Sequence, residues 1–184
     1  MVLLGSFQIN RLYRPTLSVN TATTSQELAD FGRKTYTDFC QAAGLTGAPA
    51  IGPEIVLCVG TAAEIEALRQ KWTPEKRIQG TWTWSSEFNQ KLQCFNFFLF
   101  VIDDHRNPDK SRREVLKCMA ASFGFCGTSQ EFSQSCFYPN SNAEELSDID
   151  RQLVRCYYAY MINGSTNQQI GAAVEKNWAA MVAP

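Results

Sequence analysis

Hydrophobic positions along the chain recur with two different periods. Ile55 to Val59 is a short continuous apolar run, and CFNFFLFVIDD (94–104) is a longer one, apolar on both faces except at Asn96. Such runs are strands buried on both sides, so 94–104 is expected at the centre of a sheet. GTWTWSSEF (80–88) alternates instead. Its Trp82 and Trp84 point the same way, as on a half-exposed or edge strand. FQINRLYRPTLSVNTA (7–22) alternates in part and predicts one or two strands, with Pro15 as a bulge or turn.

Helical spacing separates these runs. After Ser25 as N-cap, Leu28, Phe31, Phe39 and Ala42 predict a helix to about Ala43, stopped by Gly44. Thr61 opens TAAEIEALRQKW, with Ile65, Leu68 and Trp72 on one side and Pro74 beyond its end. HRNPDKSRR reads as a polar loop, followed by a helix from about Arg112 to Phe123 that Gly124 ends. TSQEFSQ has room for a short helical turn. Ser147 caps a further helix, with Asp148 and Asp150 at the positive end of its dipole and Asn163-Gly164 at its close. A last helix spans about Thr166 to Met181. Strands and helices alternate at the start, which predicts an α/β (α+β) chain: a small mixed sheet with packed helices and a C-terminal helical part. At 184 residues the whole of 1–184 is most simply one domain.

Composition narrows the function classes. A net charge of −1 leaves no basic excess to neutralise phosphates, so nucleic acid is not an expected partner. No apolar run has the roughly 18–20 residues of a membrane span. MVLLGSF lacks the charged and apolar regions of a secretory signal. The chain has seven cysteines, no C-x-x-C pair, and His105 as its single histidine. A zinc site of familiar spacing lacks its ligands. The cysteines suit either an oxidising compartment with disulfides, Cys126 with Cys136 being the most plausible pair, or small buried apolar roles. Export is expected on the cysteine content alone, with a cytoplasmic chain the alternative.

Residues 111–160 carry a more specific pattern. LKCMAASFGFCG is followed by SCFYPNSNAEELSDIDRQLVRCYY. In order, these resemble the zincin metallopeptidases of the matrixin type, with H-E-x-x-H-x-x-G-x-x-H, a turn like S-x-M-Y-P, and then L-S-x-x-D opening a helix. Uncharacterised exported bacterial zincin-like proteins are similar too. On that resemblance the glycine is Gly124, the turn is Ser135 to Pro139, and the helix start is Leu146 to Asp150. The first histidine falls on Lys117, the catalytic glutamate on Cys118, the second histidine on Ala121 and the third ligand on Gly127. Phe137 stands in place of the turn methionine. The resemblance therefore implies a zincin-like fold with neither metal site nor cofactor.

Three functions follow as expectations. The first is a non-catalytic binding or structural protein acting through a protein or peptide partner. Its candidate contact residues are Trp82 and Trp84, whose alternative is core packing, together with Phe137 and Tyr138. The second is a thiol-dependent hydrolase using Cys118, with Lys117 beside it, Glu114 one turn earlier and His105 approaching from the preceding loop. The third is a secreted effector or immunity-type protein with aromatic hot spots. Asp103, Asp104 and His105 end the central strand, where ligands bind in many sheets, although a polar turn is the simpler reading.

Overall fold

A computed structural model describes residues 14–21, 25–45, 47, 54–75, 80–89, 94–125, 130–139, 141–160 and 167–181. Strand β1 (Thr16–Thr21) leads into helix α1 (Gln26–Ala42), and strand β2 (Glu54–Gly60) into helix α2 (Ala62–Trp72). Strands β3 (Trp82–Asn89) and β4 (Cys94–Ile102) precede helix α3 (Pro108–Ser122), and helices α4 (Asp148–Tyr160) and α5 (Asn167–Met181) follow. The sheet order is β1-β2-β4-β3. β1, β2 and β4 run parallel, and β3 is antiparallel to β4 at an edge. The α/β expectation holds, as do the central place of β4 and the edge place of β3.

Register explains how the apolar pattern is used. Val19, Leu57, Leu99 and Trp84 lie in one row across the four strands. This row and its neighbours face the main core with residues of α1, α3 and α4. On the other face Val56, Cys58 and Phe100 meet Ile65 of α2, with Trp72 tilted against Phe98 at 5.7 Å. Both faces of β2 and β4 are thus covered, which is why those strands read as unbroken apolar runs. Asn96, the polar exception, accepts a hydrogen bond from the Glu54 N–H at 3.1 Å.

Local chemistry sets the helix ends. Thr61 and Glu64 form a capping box at the start of α2. α1 ends as expected: Gly44 has φ +72°, and the Leu45 N–H reaches the Cys40 carbonyl at 2.8 Å. In its middle, a Cβ at Gly32 would lie 2.2 Å from Leu57 Cδ2, so the missing side chain lets α1 press onto β2. Ser25 occupies the N-cap of α1 but makes no side-chain cap bond. The start of α3 differs from the expected Arg112. Asn107 caps it by accepting from the Lys110 N–H at 3.1 Å, and Pro108 supplies a preset first-turn φ, so the helix begins one turn earlier. Residues 130–139 form turns without helix. Residues 7–13 and Asn163-Gly164 lie outside the described residues.

Candidate functional site

The frame that carries the metallopeptidase resemblance is held by one carboxylate. Asp150, fully buried in the first turn of α4, takes hydrogen bonds from two directions. Its Oδ1 accepts from the Ser135 hydroxyl, and its Oδ2 accepts from the Cys136 N–H at 3.0 Å. The same Oδ2 accepts from the Ser147 N–H at 2.9 Å and the Ser147 hydroxyl at 2.8 Å. Ser147 Oγ accepts in return from the Asp150 N–H at 3.2 Å. Ser135 Oγ also accepts from the Phe137 N–H at 3.0 Å. The turn 135–139 and the start of α4 are therefore one hydrogen-bonded unit. The dipole reading of Asp150 is incomplete, because its main work is joining segments 14 residues apart.

Aromatic packing ties this unit to α3. Gly124 ends the helix with φ +92°, and the Phe125 N–H returns to the Ala120 carbonyl at 2.9 Å. Phe125 stacks on Phe137 at 5.1 Å and meets Tyr157 at 5.0 Å. The Tyr158 hydroxyl donates to the Phe123 carbonyl at 3.2 Å, and burial pushes that phenol well up. Two expectations need correction here. Phe137 is 4% exposed and belongs to the core, which leaves Tyr138, half-buried, as the surface aromatic of the pair. Cys136 is a buried free thiol, so the Cys126–Cys136 disulfide is not formed in this structure. Its neighbour is Asp150, and burial followed by that carboxylate raises the thiol strongly. Cys126 and Gly127 lie outside the described residues.

The positions assigned to chemistry sit one layer away, where α3 covers β3 and β4. Cys118 is wholly buried, its Sγ 3.8 Å from the Thr83 carbonyl of β3. Burial first, then the Glu114 carboxyl, pushes the thiol well up, and Lys117 offsets this only partly. The thiolate that a hydrolase needs is thus disfavoured. His105 is exposed, with Nδ1 3.4 Å from Asp103 Oδ2. It lies before the start of α3, whereas Cys118 is about 15 Å along the helix axis from Pro108. The structure does not bring the expected Cys–His pair together. Ala121 is buried and Lys117 half-buried. Cys40 and Cys58 are also buried free thiols, Cys58 being pushed up to about 12 by burial, and Cys156 is buried as well.

A zincin's metal does not fit this set. Zinc needs about three N, S or O ligands. Ala121 supplies none, Lys117 presents a cation, and Cys118 holds its proton. Among the described residues, no group of three or more His, Cys, Asp or Glu side chains converges on a point. Glu114, which the thiol reading placed one turn before Cys118, is the residue whose burial changes that reading. It is 8% exposed, and its Oε2 is buried without a hydrogen-bond partner. Desolvation raises this carboxyl despite the opposing charges of Lys117, Lys110 and Arg113. The signal available in the sequence was a lone acid on the apolar side of a helix.

Trp82 and Trp84 do point one way. They are half-buried against the main core, with Trp84 6.3 Å from Phe97, rather than forming an outer ridge. A recess of about 410 Å³ lies elsewhere, between loop residues 131–134 and 147–149 at the start of α4. No helix among the described residues is long and apolar enough to cross a membrane. No protein-family model matches the chain, and no curated protein or solved structure is significantly similar to it.

Proposed function

We propose that the chain is a non-catalytic binding protein on a metallopeptidase-like scaffold that has lost its zinc site, and that it acts through protein–protein contacts. The observation that carries this reading is Asp150. The residues on which the zincin resemblance rests, Ser135, Cys136, Phe137 and Ser147, are the ones its carboxylate joins directly or through Ser135. The residues that would perform peptidase chemistry are absent from the same frame. A scaffold retained without its chemistry is suited to binding.

The contact surface is the side of β3 turned away from β4, its one strand neighbour among the described residues. The Ile102 N–H bonds to the Thr81 carbonyl, and Thr81 lies opposite Ile102. Antiparallel alternation then turns the N–H and C=O groups of Trp82, Ser86 and Phe88 away from β4. An extended segment can add there by main-chain hydrogen bonds. Ser86→Pro removes an outward N–H while sparing the ladder to β4. A capped heptapeptide of alternating threonine and glutamine is expected to bind the parent protein and not this variant, with thermal stability little changed. Equal binding to both proteins, or to neither, overturns strand addition at β3.

A further inference from the structure

α3 is buried on most of its circumference. From Ser111 to Ser122 only Arg112, Arg113 and Lys117 are more than marginally accessible, and Lys110 lies just before them. Lys110, Arg113 and Lys117 are spaced 3 and 4 apart and so form a single line along the helix. Every position on this line is cationic. Arg112 is off the line and already paired, with Glu144 at 3.5 Å and Glu27 at 4.0 Å on the side facing α1. Among the described residues, no carboxylate stands within 4.0 Å of the other three cations.

Three neighbouring acids leave the line without an ion pair. Asp109, exposed four residues before Arg113, does not come within 4.0 Å of it. Glu114 is turned into the protein, toward the side where Cys118 meets Thr83 of β3. Glu87 is exposed on β3 but shares the opposite sheet face with Ser85 and Thr83. At 100° per residue, the cationic line lies next to the Glu114–Cys118 side of α3 and away from the bulk of the α1 contact. It therefore forms the shoulder above the β3 edge. In a chain of net charge −1, three cations in one line with no carboxylate within 4.0 Å are a local concentration of positive potential.

From this juxtaposition we infer that the surface made by the β3 edge and the Lys110–Arg113–Lys117 line takes an acidic extended segment of a partner protein. The inference rests on the strand-addition reading above and adds the charge of the occupant. Main-chain bonds to β3 hold the segment. Carboxylates on alternate residues, all on one side, meet the cations of α3.

The test compares capped heptapeptides in which threonine alternates with glutamate, glutamine or lysine. Binding is measured at low and high salt to the parent chain and to the triple variant K110Q/R113Q/K117Q. The glutamate peptide is expected to bind about tenfold tighter than the glutamine peptide at low salt. That advantage should vanish in the variant and shrink with salt, and the lysine peptide should bind weakest. The substituted side chains reach solvent, so an unchanged melting temperature is the accompanying control. Equal binding of the glutamate and glutamine peptides to the parent overturns the acidic preference and leaves strand addition standing. No binding by any peptide overturns both. A single-stranded oligonucleotide that displaces the glutamate peptide at equal charge overturns the protein partner in favour of a polyanion.

Discussion

Asp150 and Glu114 are both buried carboxyl groups, and their surroundings differ. Asp150 is 0% exposed and accepts from the Ser135 and Ser147 hydroxyls and two backbone N–H groups. Glu114 is 8% exposed, with Oε2 unbonded beside a buried thiol. The first belongs to the turn and the start of α4. The second belongs to the side of α3 that packs over β3, one turn before Cys118. A buried acid surrounded by donors fixes a shape, because removing it strands several groups at once. A buried acid without donors costs stability where it stands. On the proposed reading this is how the frame outlasts the chemistry: it depends on Asp150 and its donors, which are other residues than Lys117, Ala121 and Gly127 at the metal-ligand positions.

The largest effect expected from this comparison is at Asp150. Asp150→Ala leaves the Ser135 hydroxyl and the Cys136 and Ser147 N–H groups without their acceptor. It should cost about 3–5 kcal/mol in denaturant unfolding. A loss below about 1 kcal/mol would mean that the turn is held mainly by the stacking of Phe137 on Phe125.

Next is the glycine that joins the two regions. Gly124→Ala places a Cβ at φ +92° and 3.2 Å from the Tyr157 hydroxyl, at a cost of about 1–3 kcal/mol. Gly44→Ala, at φ +72° with nothing within 4 Å, should cost less, about 1 kcal/mol. Equal losses at the two sites would remove the Tyr157 contact from the explanation.

Glu114 gives a change of opposite sign. Burial raises its carboxyl above the ordinary 4.5, so the protonated form is favoured in the folded chain. The parent therefore loses stability as pH rises through the folded value. Glu114→Gln should be more stable by about 1 kcal/mol at neutral pH, with the advantage fading below about pH 4.5. A destabilised glutamine variant would show that the carboxylate has a structural partner. Last, and outside the energy scale, a thiol reagent should leave Cys118 and Cys136 unlabelled in the native protein and label them after unfolding.

Much of the sheet could be read from the chain because β2 and β4 are buried on both faces and β3 on one. Continuous and alternating apolar runs reported those conditions directly. The start of α3 was legible in principle from Asn107 and Pro108, but the surrounding charges read as a solvated loop. The frame was visible as the spacing of Gly124, Ser135–Pro139 and Ser147, whereas the role of Asp150 was not. An aspartate in a first helical turn looks the same whether it faces solvent or gathers four hydrogen bonds. The outward reading of Phe137 failed for a similar reason, since one aromatic beside another does not show which is inside. Phe125 and Tyr157 decide that through contacts remote in sequence. Glu114 could be placed one turn before Cys118, but its unpartnered burial and the cationic line emerged only when the rest of α3 proved to be buried.

Zinc stoichiometry tests the central claim most directly. Purified protein would be incubated with excess zinc at neutral pH, freed of loosely bound metal by gel filtration, and assayed for metal per chain. Lys117, Cys118 and Ala121 in an intact frame predict well below one equivalent and no change in melting temperature. One tightly held equivalent that raises the melting temperature and is lost in Cys118→Ala would contradict the account.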